Sequence, residues 1–373
     1  MEVSSSKSIP RAKHRSGEEI VAALALAKCP GLRSYDKIKL LRQTGSFKEA
    51  LHFVPTGPSV EAMRKAEEQY QRCQKRGLHL LTLHSPHYPP LLRDISDPPL
   101  VLYVWGDLGA FTGVSLAIVG SRRATPYGTD VCERLTADLA NRGATIVSGL
   151  ARGIDAVAHR AALDAGGRTI AVLGSGLDVI YPREHAHLAE KIAETASVVS
   201  ELPLGSPPLP GHFPMRNRIV SGLAVGTIVI EAAERSGSLI SARLAVEENR
   251  EVFAVPGPIT SPNSAGVHGL IQDGAKLVRR VEDVIEELRP DIREQLSNGT
   301  HVSQSPSKSV ENLEGDERRV IEILLLKGAV DTDRLIAMAQ IPTDRVMAAL
   351  VGLEIKGLVR SFPGGIYGIV NPS

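Results

Sequence analysis

An aromatic residue and two arginines stand close together in the stretch 211–220, in a chain whose aromatic content is only 4%. Phe213 comes first, and Arg216, Asn217 and Arg218 follow where a helical pattern begins. An aromatic ring that stacks on a base, beside side chains that bind phosphates and a polar base edge, is how proteins hold single-stranded nucleic acid. The stretch favours such a site, although it also suits Phe213 as a core residue and Arg218 in an internal ion pair.

Loops rich in Gly, Ser and Arg follow four short aliphatic runs in the middle of the chain. Gly lets a backbone approach a ligand closely, Ser offers a hydroxyl, and free N–H groups at a helix start favour phosphate. One such loop would be weak evidence for a binding site, but four loops at one edge of the sheet predict a phosphate-binding site. The candidates are Gly120, Ser121, Arg122, Arg123, Ser148, Gly149, Arg152, Gly174, Ser175, Gly237 and Ser238.

The segments around these loops predict a Rossmann-like, doubly wound α/β domain with a mostly parallel sheet. Unalternating runs rich in Val and Ile are typical of strands buried on both faces, and ligands of such sheets bind at the carboxyl ends of the strands. The predicted strands are 116–119, 145–147, 169–173, 197–200, 227–230, 251–255 and 275–278, and the predicted helices are 128–142, 154–165, 217–223 and 239–249.

Composition divides the remainder of the chain into smaller parts. Residues 1–16 have the composition of a disordered segment, and 17–76 predict a small all-α domain. Strands at 78–83 and 100–105 extend the α/β domain to 77–288, with its core at 115–288, and the polar stretch 289–314 predicts a linker. Three helices (317–327, 332–339 and 344–356) and two short strands within 315–373 predict a C-terminal winged helix.

Charge is distributed unevenly behind the net value of +1. Residues 1–76 hold 15 basic and 8 acidic side chains, whereas residues 115–288 hold 17 basic and 20 acidic ones, a net charge of −3. Nucleic acid must therefore be held by a local basic patch rather than by overall basicity. Arg outnumbers Lys 15 to 2 in that block, which suits phosphate contacts but also suits a GC-rich genome.

Several classes of site are disfavoured. The Gly174-x-Gly176 pair continues to Val179 where a dinucleotide fingerprint needs a third Gly, and no P-loop occurs. The histidines show no metal-binding spacing, and His159, His185 and His187 are interpreted as core or helix-surface residues. We therefore expect no cofactor, no metal and no catalytic residue.

Compartment follows from the cysteines and from hydropathy. Cys29, Cys73 and Cys132 form no CxxC pair, which fits a reducing cytosol, and Cys132 is expected to pack in a core. The aliphatic stretch 20–27 is too short to span a bilayer, so a cytoplasmic protein without membrane contact is predicted.

The central block closely resembles the DprA/Smf family of DNA-processing proteins. The resemblance covers the whole block in order and is carried by the motifs at 117–122, 148–155, 211–218, 236–239 and 252–257. It implies a Rossmann-like fold that binds and protects single-stranded DNA and helps to load the RecA recombinase during natural transformation, without enzymatic activity. The implied DNA-binding positions are Gly120, Ser121, Arg122, Phe213, Arg216, Asn217 and Arg218, with Arg152 and Arg183 near the same pocket.

The same resemblance implies a homodimer formed through the end of this domain, at 268–277. Ile271 and Leu277 would be its apolar contacts, and Gln272 would lie on the face offered to RecA.

The flanking units resemble those of family members less closely. Residues 29–46 look like a degenerate helix-hairpin-helix or SAM-like domain, in which Arg33 replaces the second Gly, and its DNA contact stays open. The predicted recognition helix of the winged helix carries only Arg345 and Lys356 as bases, so a packing or protein-contact role is favoured over major-groove binding.

Two other functions stay open. A nucleotide-hydrolysing relative of the phosphoribohydrolases would use Glu231, Glu234 or Glu247 as general acid or base, although the PGGxGTxxE signature of that group is absent. A transcription regulator acting through the winged helix would bind duplex DNA independently of the central arginines.

Overall fold

The computed structural model describes residues 17–54, 57–297, 315–327, 330–356, 358–362 and 365–369, and all predictions for other positions lie outside this range. The described chain forms two units divided near residue 299.

Four helices open the first unit and confirm the predicted all-α segment. Ser46 and Ser59 begin the third and fourth helices by accepting hydrogen bonds from the N–H groups of Glu49 and Ala62, which caps otherwise unpaired donors. Gly45 ends the second helix at φ +72°, a conformation that favours glycine. The helices are α1 (Gly17–Lys28), α2 (Ser34–Thr44), α3 (Phe47–His52) and α4 (Val60–Lys75).

A nine-stranded sheet follows, with strand order β1-β2-β6-β5-β4-β3-β7-β8-β9. The seven strands from β6 to β9 in this order run parallel, and β2 and β1 add an antiparallel edge. The strands are β1 (His79–Thr82), β2 (Val101–Gly106), β3 (Ser115–Gly120), β4 (Thr145–Ser148), β5 (Thr169–Val172), β6 (Ser197–Ser200), β7 (Gly226–Ile230), β8 (Glu251–Ala254) and β9 (Lys276–Leu277).

Helices connect the parallel strands and confirm the doubly wound, Rossmann-like fold. The helix that carries the Phe213 cluster begins at His212, earlier than predicted, because Pro214 lies in its first turn, where no backbone donor is needed. The helices are α5 (Pro90–Arg93), α6 (Pro126–Asn141), α7 (Ile154–Asp164), α8 (Ala186–Thr195), α9 (His212–Gly222), α10 (Ser238–Glu247), α11 (Ala265–Gln272), α12 (Val281–Ile285) and α13 (Pro290–Ser297).

The core continues from the sheet into the helical segment. Leu26, Leu41 and Phe47 belong to the same buried cluster as Leu102 and Val198 of the sheet. The other face of the sheet buries a second cluster, in which Cys132 packs as predicted. Burial of apolar surface thus attaches α1 to α4 to the α/β domain.

Helix α13 corrects the first part of the predicted linker, residues 290–297, while residues 298–314 lie outside the described range. Leu296 is 2% exposed and Ile292 packs beside it, both in the second core cluster. The spacing of four residues places these side chains on one helix face, a signal that the polar composition of the stretch concealed.

The second unit is a winged helix, as predicted. Its helices are α14 (Gly315–Lys327), α15 (Thr332–Ala339) and α16 (Thr343–Ile355), and its strands β10 (Val330–Asp331), β11 (Val359–Phe362) and β12 (Ile366–Ile369) pair in the order β10-β12-β11. Both bases predicted on its recognition helix form ion pairs, Arg345 with Asp316 and Lys356 with Glu317. These pairs favour the packing or protein-contact role.

No single helix in the described ranges has the length and hydropathy of a membrane span. Helices α15 and α16 reach that threshold only when joined across a bend of 113°.

Helix α13 makes a stability prediction. Leu296→Ala should lower the free energy of unfolding of the first unit by about 3 kcal/mol, because it leaves a cavity in a packed core. Urea unfolding of the full chain measures the change. Gln295→Ala on the exposed side of the same helix is the matched control, and equal effects of the two variants would show that α13 does not belong to the core.

Candidate nucleic-acid interface

The strand order reverses between β3 and β7, and a cavity of about 730 Å³ opens beside the carboxyl ends of these strands. Such a switch point is where open α/β sheets bind ligands. Among the described residues that line the cavity are four arginines, Arg122, Arg123, Arg216 and Arg235, and one carboxylate, Asp155. The predicted local basic patch therefore exists within an acidic domain.

The loop after β3 supplies the predicted residues Gly120, Ser121, Arg122 and Arg123 to this cavity. A Cβ atom at Gly120 would overlap the carbonyl oxygen of Ile230, so only glycine lets the two strands approach here. The Ser121 hydroxyl accepts a hydrogen bond of 3.1 Å from the Arg123 N–H and holds the turn.

Phe213 is half-buried and lines the cavity, so it is not the buried core residue that was the alternative to a base-stacking role. The backbone at Gly174 lies against the ring, since a Cβ there would be 2.9 Å from Phe213 Cδ1. The Arg122 guanidinium carbon lies 5.7 Å from the ring centroid in a cation–π arrangement. Gly174 therefore seats the aromatic ring and does not itself line the cavity.

Arg216 forms the floor of the cavity and is only 7% exposed. Its Nη1 donates a 2.7 Å hydrogen bond to the Val172 carbonyl, whereas its buried Nε has no hydrogen-bond partner among the residues that the structure describes. A Cβ atom at Gly149 would overlap the guanidinium, so the predicted Gly149 makes room for this side chain. Desolvation lowers the pKa of Arg216, and the charge of Asp155 opposes that effect.

Asp155 organises the loop after β4 around the buried arginine. Its Oδ2 accepts hydrogen bonds from the N–H groups of Gly149 and Ala151, at 3.1 and 3.3 Å. Burial raises the pKa of Asp155, while the charge of Arg216 and these two backbone donors favour the ionised carboxylate.

Two buried histidines hold the same loop in a strained shape. Leu150 has φ +56°, a left-handed conformation that costs a non-glycine residue about 1–2 kcal/mol. His159 Nε2 accepts a 3.3 Å bond from its N–H, and His185 Nδ1 lies 2.8 Å from its carbonyl oxygen. Thr169 donates to Ile146, so it accepts from His159 Nδ1 and fixes a neutral imidazole. The core role predicted for His159 and His185 is confirmed.

Three predicted contacts are corrected by burial. Arg218 has a side chain only 12% exposed, which forms ion pairs with Asp97 at 3.0 Å and Glu201 at 2.7 Å and does not line the cavity. The Ser148 hydroxyl donates to the Ile118 carbonyl at 2.6 Å, and both residues are fully buried. The Ser175 hydroxyl, 1% exposed, donates to the carbonyl of Val179. These side chains support the loops and are not offered to a ligand.

The remaining predicted residues lie at the rim or hold it. Asn217 lines the cavity and donates a 3.3 Å bond to the Gly237 carbonyl, which joins α9 to the start of α10, where Ser238 also lines the cavity. Arg152 pairs with Glu184 and lines a small adjoining pocket with Gly149. Arg183 is exposed but lines neither cavity.

Sequence reasoning missed several residues of the cavity wall, among them Tyr181, Arg235 and Asn263. Tyr181 is a rare aromatic residue in a Gly- and Pro-containing loop after β5, and Arg235 directly precedes the predicted Ser-Gly-Ser turn. Both residues could therefore have been predicted from the sequence. Asn263 lies far along the chain, and its amide donates to the Arg123 carbonyl.

The carboxylates considered for catalysis do not line the cavity. Glu231 is 6% exposed and accepts hydrogen bonds from both the N–H and the hydroxyl of Thr125. Glu234 and Glu247 are exposed outside the cavity lining. Among the described residues no cluster of three or more His, Cys, Asp or Glu side chains could hold a metal ion.

The predicted dimer segment lies at the end of the sheet. Leu277 is 37% exposed on the edge strand β9, which pairs only with β8 in the described chain. Ile271 is half-buried near the end of α11, and Gln272 beside it is exposed.

Comparisons with known proteins agree with this architecture. The family described as DNA recombination-mediator protein A matches residues 79–289, and the DprA winged helix domain matches residues 304–365. Protein Smf of Escherichia coli is 44% identical over 293 residues, 77% of this chain and 76% of that protein. DNA processing protein DprA of Bacillus subtilis is 46% identical over 216 residues, 58% of this chain and 73% of that protein.

Two solved structures are similar to the chain. DNA processing protein A from Streptococcus pneumoniae superposes with a TM-score of 0.63 and 37% identity, covering 72% of this chain and 98% of that one. DNA processing protein A from Helicobacter pylori, whose structure is described for its single-stranded DNA binding mode, gives a TM-score of 0.51 and 33% identity over 56% and 94% of the two chains.

Burial of His159 makes the stability of this site depend on pH. Desolvation lowers the His159 pKa to about 3, whereas an unfolded histidine titrates near about 6.5. Between these values the unfolded state binds more protons, so the free energy of unfolding should fall as pH falls, by up to about 1.4 kcal/mol per pH unit. Urea unfolding at pH 7, 6 and 5 measures this slope.

The variant His159→Gln should be less stable at pH 7 and show a shallower slope below pH 6.5. His187→Gln, at a side chain 78% exposed, is the control and should keep the native slope. A native slope in His159→Gln would exclude His159 as its source.

Proposed function

The chain belongs to the DprA/Smf family of DNA-processing proteins, and on that basis we propose that it binds single-stranded DNA in the cavity beside β3 and β7. The observation that carries this proposal is the lining of that cavity. Arg122, Arg123 and Arg235 form no ion pair within the described residues, and they line the same cavity as Phe213 in a domain whose net charge is −3. A polyanion is attracted here by a local field rather than by total charge.

The shape of the site favours a single strand over a duplex. Phe213 and the arginines lie inside a concave cavity, where an aromatic ring can reach only an unstacked base. Stacking on a base is independent of sequence because every base has a π-face. The start of α10 at Gly237 and Ser238 adds backbone donors for phosphate.

The wider role is proposed from family membership. The protein would protect incoming single strands and help to load RecA on them during natural transformation, in the cytoplasm and as a homodimer. Support for the dimer comes from the exposed Leu277 on the edge strand β9, because an unpaired edge can join a second copy around a twofold axis. Gln272, exposed beside this edge, is the proposed contact to RecA.

Binding without catalysis is part of the proposal. Glu231 is buried and accepts two hydrogen bonds from Thr125, so it is poorly placed as a general acid or base for a ligand in the cavity. Release of free base from nucleoside monophosphates during incubation with the protein would overturn this part and support hydrolysis.

The arginines of the cavity give the first test. Arg122→Ala and Arg235→Ala should each weaken binding to oligo(dT) about tenfold, and each lost phosphate contact should reduce the slope of log K against log salt by about 0.7. Fluorescence anisotropy at several salt concentrations measures both quantities.

Arg243→Ala is the matched control, since Arg243 is an exposed arginine on α10 outside the cavity lining. Its affinity should equal that of the native chain, and duplex of the same length should compete poorly. An equal loss of affinity in all three variants would indicate nonspecific charge attraction and would contradict the proposed site.

The edge strand gives the second test. Leu277→Asp should convert the dimer to a monomer, because it places a charge in an apolar contact between two copies. Light scattering after gel filtration measures the mass. Gln272→Ala should keep the dimer mass but reduce the retention of RecA on the immobilised protein. If Leu277→Asp keeps the mass of a dimer, the contact between the two copies lies elsewhere.

A further inference from the structure

Tyr181 is an exposed aromatic side chain at the rim of the cavity. It is 45% exposed, lines the large cavity, and also lines the small adjoining pocket with Arg122 and Phe213. Its hydroxyl donates no hydrogen bond to other described residues. An aromatic ring that combines an exposed face with a free polar end is suited to cover a planar ligand.

The neighbouring ring of Phe213 is covered by a cation. The Arg122 guanidinium lies over it, so a base that stacks there must displace this cation. Tyr181 packs beside Phe213 with a centroid separation of 5.6 Å and a tilt of 48°, which leaves no space for a base between the two rings. The outer face of Tyr181 has no cation over it among the described residues.

The loop that carries Tyr181 is anchored by contacts with other parts of the protein. Asp178 Oδ1 accepts a 2.6 Å hydrogen bond from the Gly205 N–H, and Asp178 Oδ2 forms a 3.1 Å ion pair with Arg72 of α4. A ring on an anchored loop loses little conformational freedom when it stacks, so more of the stacking energy is available for binding.

From these observations we propose that Tyr181 forms a second nucleobase subsite. One base of the strand stacks on the outer face of Tyr181, and an adjacent base occupies the Phe213 position. The phosphates between them lie within reach of Arg122. This inference rests on the proposed binding of single-stranded DNA. It adds Tyr181 to the residues that contact the strand.

The test combines variants of Tyr181 with oligonucleotides that each carry one abasic position. Tyr181→Ala should weaken binding to intact oligo(dT) about tenfold because a stacking contact is lost. The slope of log K against log salt should stay unchanged, since all phosphate contacts are kept. Tyr181→Phe should bind like the native chain. Tyr127→Ala is the matched control, since Tyr127 is 44% exposed and does not line the cavity.

The abasic scan separates stacking from a structural role. In the native chain, loss of the base at the Tyr181 position should cost about tenfold, and in Tyr181→Ala the same loss should cost little. Loss of the base at the Phe213 position should cost the same in both proteins. Tyr181→Leu, which keeps an apolar contact to Phe213, repeats the test if the alanine variant unfolds.

Two results would overturn the subsite. The first is that Tyr181→Ala and Tyr181→Leu both bind oligo(dT) with native affinity. The second is that, in the native chain, an abasic site lowers the affinity equally at every position. Both leave the proposed function intact, because the native chain still binds oligo(dT) and still loses affinity in Arg122→Ala. Absence of native binding would instead remove the proposed function and the subsite together.

Discussion

The buried guanidinium of Arg216 is the constraint around which the site is built. A buried charge is tolerated only where hydrogen bonds and an opposite charge compensate its lost hydration. The Val172 carbonyl provides one hydrogen bond, and Asp155 provides the opposite charge. Gly149 cannot carry a side chain because the guanidinium occupies that volume. The loop after β4 therefore owes its shape to one side chain from a helix much later in the sequence, which also binds the end of β5.

This arrangement divides the arginines by role. Arg216 is held inside the protein, while Arg122 stands above it, and the repulsion between the two charges contributes to the lowered pKa of Arg216. An anion between them would relieve that repulsion, so the free site is electrostatically prepared for phosphate. The same division would let a domain with an excess of acidic residues bind a polyanion. Its acidic side chains lie elsewhere, and only Asp155 lines the cavity among the described residues.

The parts of the fold that depend on local pattern were predictable. Aliphatic strands, loops rich in glycine and helix lengths are written in short windows, and the strand-end loops meet at the predicted sheet edge. Arg216 and Arg218 show the limit, because residues two apart on a helix point about 200° apart. One lines the cavity, and the other pairs with Asp97, 121 residues away. No short window reveals such a partner. The contact between Tyr181 and Phe213 likewise joins two separate loops of the cavity wall, so the sequence around Tyr181 does not show it.

The helical segment α1 to α4 supports the site through an ion pair, two hydrogen bonds and a shared apolar core. Arg72 of α4 pairs with Asp178 in the loop that carries Tyr181. Gln69 on the same helix accepts a hydrogen bond from the Leu204 N–H and donates one to its carbonyl. These bonds join α4 to two loops at the carboxyl edge of the sheet, and the shared apolar core holds the helices there. The segment is thus part of the scaffold that supports the cavity rim.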